Sequence, residues 1–352
     1  MIETLEELVS LHGISGYEDR VRTAIKDKLG DLADKARTDR LGNLYVEIGT
    51  GSPHLVLVAH MDEIGLVITY IEENGTLRFK IVGGLDKRVL PGRLVLIDTG
   101  EKIIPGVIGI VPPHLFKDDA DRNRIMEADD MVIDVGIRSR EETEALGIRV
   151  RNPVILKKDF VHLPGGFISA RSLDDRAGCA VLLEVLSRLQ EKSLPCRVTF
   201  AWTVQEEVGI RGATALASSL SADIVIPIDT LSAGDIPGVA YHQSPVKPGK
   251  GPALRFLDRR ALATPRLVEE VLALAERARI PVQVAATGGG TDGAAFQLEG
   301  CSMLPVAFPL RYTHSPIEML CYKDLERAID LLCEIALNLD RIDDALQVSG
   351  EL

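Results

Sequence analysis

The chain has 352 residues, of which 46% are hydrophobic, and a formal net charge of -12. This length is enough for two domains, or for one domain that carries a large insertion. The negative charge, without a long basic run, argues against nucleic acid or an anionic membrane surface as the main partner. No apolar stretch is long enough to cross a bilayer, and the acidic N-terminus, with its helical pattern, differs from a signal peptide.

The five cysteines are odd in number and form no Cys-x-x-Cys pair. This pattern is typical of reduced thiols in the core of a cytoplasmic protein. A metal site in such a chain would have to consist of histidines and carboxylates.

Two helices are predicted at the start of the chain. The apolar spacing indicates a helix over residues 3–12, and Gly13 is a natural end for it. Ser15 and Glu18 fit a capping box that would begin a second amphipathic helix. Apolar runs then predict strands at 44–48 and 55–59.

The hydrophobic pattern of the sequence is different between residues 68 and 162. Short β-like runs, separated by Gly and Pro, replace the helical patterns, and the charged segment 117–130 is expected to be an exposed loop. We expect a small β-domain, with a structural or assembly role, inserted into an α/β domain made of residues 1–67 and 163–352.

The α/β pattern returns near residue 169. Asp174 precedes an apolar helix, and the buried run 198–204 leads into two adjacent acids, Glu206 and Glu207. Adjacent acids at the end of a buried strand are costly unless they are solvated or bind a cation. The remaining predictions are helices at 211–219, 265–278 and 323–339, and strands at 224–228, 282–285 and 303–308, the last of these being the final strand.

Acidic or imidazole side chains follow the ends of several predicted buried strands. Open α/β sheets place their functional sites at the carboxyl ends of strands, so these side chains are expected to converge. A site of two histidines and three carboxylates can hold two ions if one carboxylate bridges them, and it suits zinc, cobalt or manganese. The candidates are His60, Asp62, Asp174, Glu206, Glu207, Asp229 and His314.

Each candidate also has an ordinary structural interpretation. His60 or His314, taken alone, is more often a hydrogen-bonded histidine than a ligand. Asp174 could cap a helix, and Asp229 could be a turn residue. Glu206 and Glu207 are the hardest to explain without a cation.

Five motifs together resemble the M42 family of metallo-aminopeptidases, the tetrahedral or glutamyl-aminopeptidase type. They are HMDEIG at 60–65, SLDDRAG at 172–178, QEEVGIRGA at 205–213, DT at 229–230 and RYTHSP at 311–316. The resemblance extends over essentially the whole chain, in the family's order, and includes the β-insertion between the first two motifs.

The resemblance implies a role for each candidate. His60 and Asp229 would bind one divalent ion, Glu207 and His314 the other, and Asp174 would bridge them, with zinc first among the metals. Glu206 would be the general base. Asp62 would orient His60, and the resemblance implies a cis peptide bond between Asp62 and Glu63.

The resemblance also implies a fold and an assembly. The catalytic domain would be a mixed-sheet, phosphorylase/hydrolase-like α/β domain with helices on both faces, and the insertion would be PDZ-like. The protein would remove N-terminal residues from short peptides and form dimers that assemble into a tetrahedral dodecamer. The alternatives are a dinuclear deacylase or carboxypeptidase for N-acyl amino acids, a glucanase, which the 4% aromatic content disfavours, and a non-catalytic binding protein.

Overall fold

The computed structural model describes residues 1–115, 118 and 123–348. The helices are α1 Ile2–Ser10, α2 Asp19–Asp27, α3 Arg140–Ala145, α4 Leu173–Leu189, α5 Arg211–Ala217, α6 Pro265–Ala278, α7 Gly293–Leu298, α8 Tyr322–Leu337 and α9 Leu339–Val348. None of the described helices is both long enough and apolar enough to cross a membrane.

The described strands form a nine-stranded sheet, a three-stranded sheet and a closed barrel. The first to ninth are β1 Arg37–Thr38, β2 Leu44–Ile48, β3 His54–His60, β4 Gly65–Ile71, β5 Leu77–Val82, β6 Leu94–Asp98, β7 Ile103–Ile108, β8 Ile133–Asp134 and β9 Pro153–Leu156. The remainder are β10 Val161–Leu163, β11 Phe167–Ala170, β12 Arg197–Thr203, β13 Ile224–Ser232, β14 Ala253–Leu257, β15 Gln283–Ala286, β16 Ser302–Met303, β17 Val306–Leu310 and β18 Glu318–Cys321.

The large sheet is mixed, as expected. Its order is β1-β2-β12-β3-β13-β17-β14-β15, with β16 paired to β13. Strands β12, β3, β13 and β17 run parallel, whereas β2 pairs antiparallel to β12 and β14 antiparallel to β17. The carboxyl ends of the four central strands therefore lie at one edge of the sheet.

Helices cover both faces of this sheet, and the central strand β3 shows why. Its residues Leu55, Leu57 and Ala59 pack into the core beneath α1, α2, α4, α6 and α8. Val56 and Val58 pack on the opposite face against α5 and α7. A strand buried on both sides needs a continuous apolar sequence, which is what made this strand predictable.

The inserted region is a closed barrel with its own hydrophobic cluster. Its strands close in the order β4-β5-β8-β7-β6-β9, and the cluster draws its buried residues from Leu66 to Leu156. Strands β10, β11 and β18 form a separate small sheet beside the main one. The PDZ-like form and the boundaries at 68 and 162 stay predictions. Of the segment expected to be an exposed loop, Lys117 and residues 119–122 lie outside the described residues, while 123–125 are exposed.

The structure corrects several predicted elements. Strand 303–308 is not the last, because β18 follows it and closes the small sheet against β11. Asp229 lies inside β13 rather than after its end. The C-terminal helix is interrupted at Asn338, and α9 continues beyond it.

The predicted capping box before α2 is also wrong. Ser15 donates its hydroxyl hydrogen bond to Asp62 rather than to the helix. The Glu18 carboxylate accepts hydrogen bonds from the backbone N–H groups of Gly16 and Gln205, both at Oε1 and at 2.7 and 3.1 Å. Ser15 and Glu18 therefore connect the N-terminal segment to Asp62 and to the turn after β12. These tertiary contacts take the place of a local helix cap.

We predict that Glu18→Gln stabilises the protein above neutral pH. Burial raises the pKa of Glu18 from 4.5 to about 7 in the folded chain. Because the unfolded carboxyl ionises at lower pH, folding loses stability as the pH rises from about 4.5 to about 7. The amide oxygen of glutamine can accept both backbone hydrogen bonds without this charge, so the variant should gain about 3 kcal/mol at pH 8.

Chemical unfolding between pH 5 and pH 8 measures this difference, which should grow with pH. Glu3→Gln, an exposed position on α1, is the control and should show no such growth. A constant difference between Glu18→Gln and wild type over this range would contradict the prediction.

Candidate metal centre

Two neighbouring parallel strands bring the first candidates together. Thr203 at the end of β12 is in register with His60 at the end of β3, and the Met61 N–H donates to the Thr203 carbonyl at 2.7 Å. The chain after β3 therefore places Asp62 beside the turn that carries Glu206 and Glu207. The sequence-based expectation that these residues converge rests on this parallel pairing.

Asp229 reaches the same place because β13 changes partner. It pairs with β3 only as far as Pro227 and Val58, and from Ile228 onward it pairs with β17. The sheet opens between β3 and β13 at this point, and the buried Asp229 side chain lies in the opening. The carboxylate of an acid within β13 can therefore reach the site, just as an acid that follows a strand can.

The remaining candidates come from loops with unusual backbone conformations. Asp174 lies at the distorted start of α4 and follows Ser172, which has φ 51°. His314 lies between β17 and β18 with φ 60°, and Gln205 has φ 56°. Non-glycine residues rarely adopt this left-handed region, and such residues cluster at functional sites.

The side chains of these candidates meet around Asp174. His60 Nε2 lies 3.4 Å from Asp174 Oδ1, and His314 Nε2 lies 3.6 Å from Asp174 Oδ2. On the other side, His314 Nε2 lies 3.3 Å from Glu207 Oε2. Asp174 thus stands between the two imidazoles, with one carboxylate oxygen toward each.

Asp62 lies behind the site and contacts it through hydrogen bonds. Its carboxylate accepts the backbone N–H groups of Glu206 at 2.9 Å and Glu207 at 3.2 Å. Its Oδ1 is 3.4 Å from His60 Nδ1, which also lies 3.1 Å from the Asp62 carbonyl oxygen. Asp62 is fully buried, so it can orient His60 and the acidic turn but cannot contact a substrate.

The expected cis bond between Asp62 and Glu63 is wrong. The non-proline cis peptide bond in the described chain joins Asp174 to Asp175. Glu63 is instead held by a buried ion pair to Arg171 and by Arg176 Nη2 at 3.4 Å.

Two contacts that the sequence did not indicate hold the candidates in place. Glu318, 2% exposed, accepts the His314 N–H at 3.0 Å and the Asp174 N–H at 3.2 Å. The Gly84 carbonyl oxygen, from the barrel, lies 3.2 Å from His314 Nδ1. The only sequence signal was the closeness of Glu318 to the RYTHSP motif, which gave no hint of what its carboxylate contacts.

The acids of the site resist simultaneous ionisation. Burial raises the pKa of Glu206 well above its usual value, and the nearby carboxylates Asp292, Asp229 and Glu207 raise it further. Burial also raises the pKa of Asp229, to about 7. For His314 burial lowers the pKa, but the carboxylates of Glu207, Asp174 and Glu318 together outweigh burial and raise the pKa to about 10. Protons bound to these side chains thus neutralise part of the negative charge of the site. A divalent cation would neutralise that charge in their place.

The donor set fits a divalent cation. One ligand atom from each of His60, Asp174 and Glu207 lies within 4.8 Å of the other two, and the same holds for Asp174, Asp175 and Asp229. Among the described residues, Asp174 Oδ1 and Asp175 Oδ2 are buried without a hydrogen bond of ordinary geometry. Imidazole and carboxylate groups with a buried oxygen left over are the ligands that zinc, cobalt and manganese use in proteins.

The five candidate ligands and Glu206 line one open cavity of about 440 Å³. Its opposite wall contains Thr287 and the three glycines 288–290, together with Arg255. The Arg255 guanidinium donates to the carbonyls of Thr230 and Gly290 and so connects β13 to this glycine loop. Asp292, which follows this glycine loop, is 3% exposed and accepts a hydrogen bond from Thr203.

The chain is similar to known aminopeptidases over most of its length. The family model described as M42 glutamyl aminopeptidase matches residues 42–331. The lysyl aminopeptidase of Pyrococcus furiosus is 30% identical, over 94% of this chain and 94% of its own.

Two solved structures are similar over nearly their full length. The TET aminopeptidase of a marine sediment Thaumarchaeota archaeon is 34% identical, with a TM-score of 0.94 and coverage of 98% of both chains. The Pyrococcus horikoshii TET1 peptidase is 40% identical, with a TM-score of 0.89, over 96% of this chain and 99% of that one. The chain belongs to the M42 family of aminopeptidases, which are metal-dependent peptide hydrolases.

Proposed function

We propose that this aminopeptidase removes N-terminal residues from short peptides at a centre of two divalent ions, zinc first, with cobalt or manganese as alternatives. The observation that carries the proposal is the position of Asp174 between two imidazoles, one carboxylate oxygen toward each, at 3.4 and 3.6 Å. A carboxylate in that position suits a bridge between two ions.

The proposed ligand sets are those that the family resemblance implies. His60 and Asp229 would hold one ion, Glu207 and His314 the other, and Asp174 both. The ions would supply an activated water and polarise the scissile carbonyl. His60 Nδ1 faces Asp62, so Nε2 is the nitrogen available to a cation, an arrangement common among metal-bound histidines.

Glu206 is proposed as the general base. It is adjacent to Glu207 but makes no part of the proposed ligand sets, and it lines the cavity. Its backbone N–H is fixed by Asp62 at 2.9 Å, which holds the acid at the floor of the cleft. A carboxylate there can take a proton from the attacking water and deliver it to the leaving amine.

The finer structural assignments are proposals as well. We propose that the catalytic part is phosphorylase/hydrolase-like and consists of residues 1–67 and 163–352, and that the barrel at 68–162 is a PDZ-like assembly module. All five cysteines carry free thiols, which supports a reducing, cytoplasmic location.

The substrate test separates the proposed activity from its runner-up. We expect hydrolysis of aminoacyl p-nitroanilides with a free amino group, its loss on chelation, and its recovery with zinc, cobalt or manganese. A deacylase or carboxypeptidase would instead hydrolyse N-acyl amino acids. Activity on the N-acylated substrates alone would contradict the aminopeptidase proposal and favour that runner-up.

The two adjacent acids should respond differently to substitution. Glu206→Gln should retain both ions and lose about 10²–10⁴-fold in kcat, because it removes proton transfer but no ligand. Glu207→Ala should lose metal, because it removes a ligand. Metal content by mass spectrometry, together with peptide kinetics, measures both effects. Full activity of Glu206→Gln would show that another group is the base.

We also propose that the protein forms dimers which assemble into a tetrahedral dodecamer. The Pyrococcus horikoshii TET1 peptidase can assemble into a tetrahedron or a large octahedral shell. In this chain Leu94 and Val107 lie opposite each other on β6 and β7 and are 52% and 43% exposed. Adjacent apolar side chains on the barrel surface are what a subunit interface would cover.

Val107→Asp should therefore reduce the mass of the assembly measured by light scattering, because a buried carboxylate would oppose the contact. Val150→Asp places the same charge at a valine that is 46% exposed and is the control. An unchanged mass for Val107→Asp, with an oligomeric wild type, would exclude this surface from the interface.

A further inference from the structure

The loop that carries His314 has an unfavourable backbone conformation, so contacts with other parts of the chain must keep it in place. Both Tyr312 and His314 have positive φ, 61° and 60°, and the loop connects β17 to β18. A non-glycine residue stays in this region only when surrounding contacts impose it. The contacts that hold His314 therefore decide where its imidazole points.

Glu318 holds the backbone of His314 and of a second candidate ligand at once. Its Oε1 accepts the His314 N–H at 3.0 Å, and its Oε2 accepts the Asp174 N–H at 3.2 Å. Glu318 itself is placed by the small sheet, where it pairs with Ala170 just before Asp174 in the chain. One buried carboxylate thus joins two segments that are distant in sequence.

The barrel holds the imidazole ring of the same histidine. The Gly84 carbonyl oxygen lies 3.2 Å from His314 Nδ1. A Cβ added at Gly84 would lie 2.6 Å from that nitrogen and 2.9 Å from Cε1 of the ring. A Cβ at Gly83 would lie 3.3 Å from the Cβ of Glu207. The turn of the barrel at 83–84 therefore packs against both His314 and Glu207.

We propose that Glu318 and Gly84 are positioning residues that hold the His314–Glu207 side of the metal centre, so that the barrel takes part in binding one of the two ions. The inference rests on the dinuclear centre proposed above and adds a function to the barrel beyond assembly. It also explains why the short turn at 83–84 consists of two glycines, since a side chain there would meet His314 or Glu207.

The effect of Gly84 should be confined to one ion, whereas Glu318 also accepts the N–H of Asp174, the ligand proposed for both ions. His60 is oriented from its own side by Asp62, at 3.1 and 3.4 Å, and it is the last residue of β3, in the centre of the main sheet. In the described structure its hydrogen bonds do not involve the barrel turn. The ion proposed for His60 and Asp229 should therefore bind when the other site is disturbed.

Two substitutions test this, each with a matched control. Glu318→Gln keeps the size of the side chain but leaves one of the two backbone N–H groups facing an amide N–H instead of an oxygen. Its control is Asp324→Asn, another buried carboxylate, 1% exposed, that accepts two backbone N–H groups, from Gly249 and Gly251. Asp324 does not line the cavity.

Gly84→Ala places a methyl group against the His314 ring without changing any hydrogen-bonding group. Its control is Gly109→Ala, also in the barrel region, where an added Cβ meets nothing within 4 Å. Neither glycine has a positive φ, so alanine is compatible with the backbone at both positions.

The experiment is calorimetric titration of the metal-free proteins with Mn²⁺, with the thermal unfolding of each metal-free variant as a check on folding. Wild type should bind two ions per chain. Gly84→Ala should bind one ion with wild-type affinity and the second about 10–100-fold more weakly, the range seen when groups behind metal ligands are removed. Glu318→Gln should bind both ions more weakly, with the larger loss at the second, because it disturbs both His314 and Asp174. Both controls should match wild type.

Two results would overturn the inference: wild-type affinity for both ions in Gly84→Ala and Glu318→Gln, or equal weakening of both ions in Gly84→Ala. If Glu318→Gln fails to fold, the comparison of Gly84→Ala with Gly109→Ala decides alone. A wild-type chain that binds no ion would instead contradict the metal centre on which the inference rests.

Discussion

The burial of several carboxylates at one edge of the main sheet is the constraint on which the other features depend. Asp62, Asp174 and Asp229 are each less than a tenth exposed, and such charges are costly without partners. Part of the cost is offset by backbone N–H groups and imidazoles, and divalent cations would offset the rest. The turn after β12 has its amides pointed at Asp62 because an acid there needs donors, and the same hydrogen bonds fix Glu206 and Glu207.

Much of the main sheet was predictable because its central strands are buried on both faces. Such strands need unbroken apolar runs, and polar residues directly after them stand out, as His60 and Glu206 do. Parallel pairing then brings these residues to one edge. The convergence of the candidates could thus be predicted from the burial and the direction of the strands, because both leave a recognisable pattern in the sequence. The roles proposed for them, as ligands or base, came only from the family resemblance.

The contacts behind the ligands were not predictable, and the reason is physical. Glu18 and Glu318 act by accepting backbone N–H groups, which every residue except proline possesses. Nothing in the sequence marks which amides a carboxylate will meet after folding. Glu18 even matched a local capping pattern, yet the amide of Gln205 competed successfully for its oxygen. The contact of Gly84 was equally unpredictable from the sequence, because the closeness of its carbonyl to His314 depends on how the barrel packs.

The attachment of the barrel explains why such contacts can be precise. Strand β4 begins at Gly65, three residues after Asp62, so the barrel leaves the main sheet directly from the site. Glu63 at this junction bonds to the Gly13 N–H and to two buried arginines, Arg171 and Arg176. The arginines in turn donate to carbonyls at the end of α1, including that of Leu11. A junction with this many buried partners restricts hinge motion, and a restricted barrel can keep its turn against His314 where a flexibly linked domain could not.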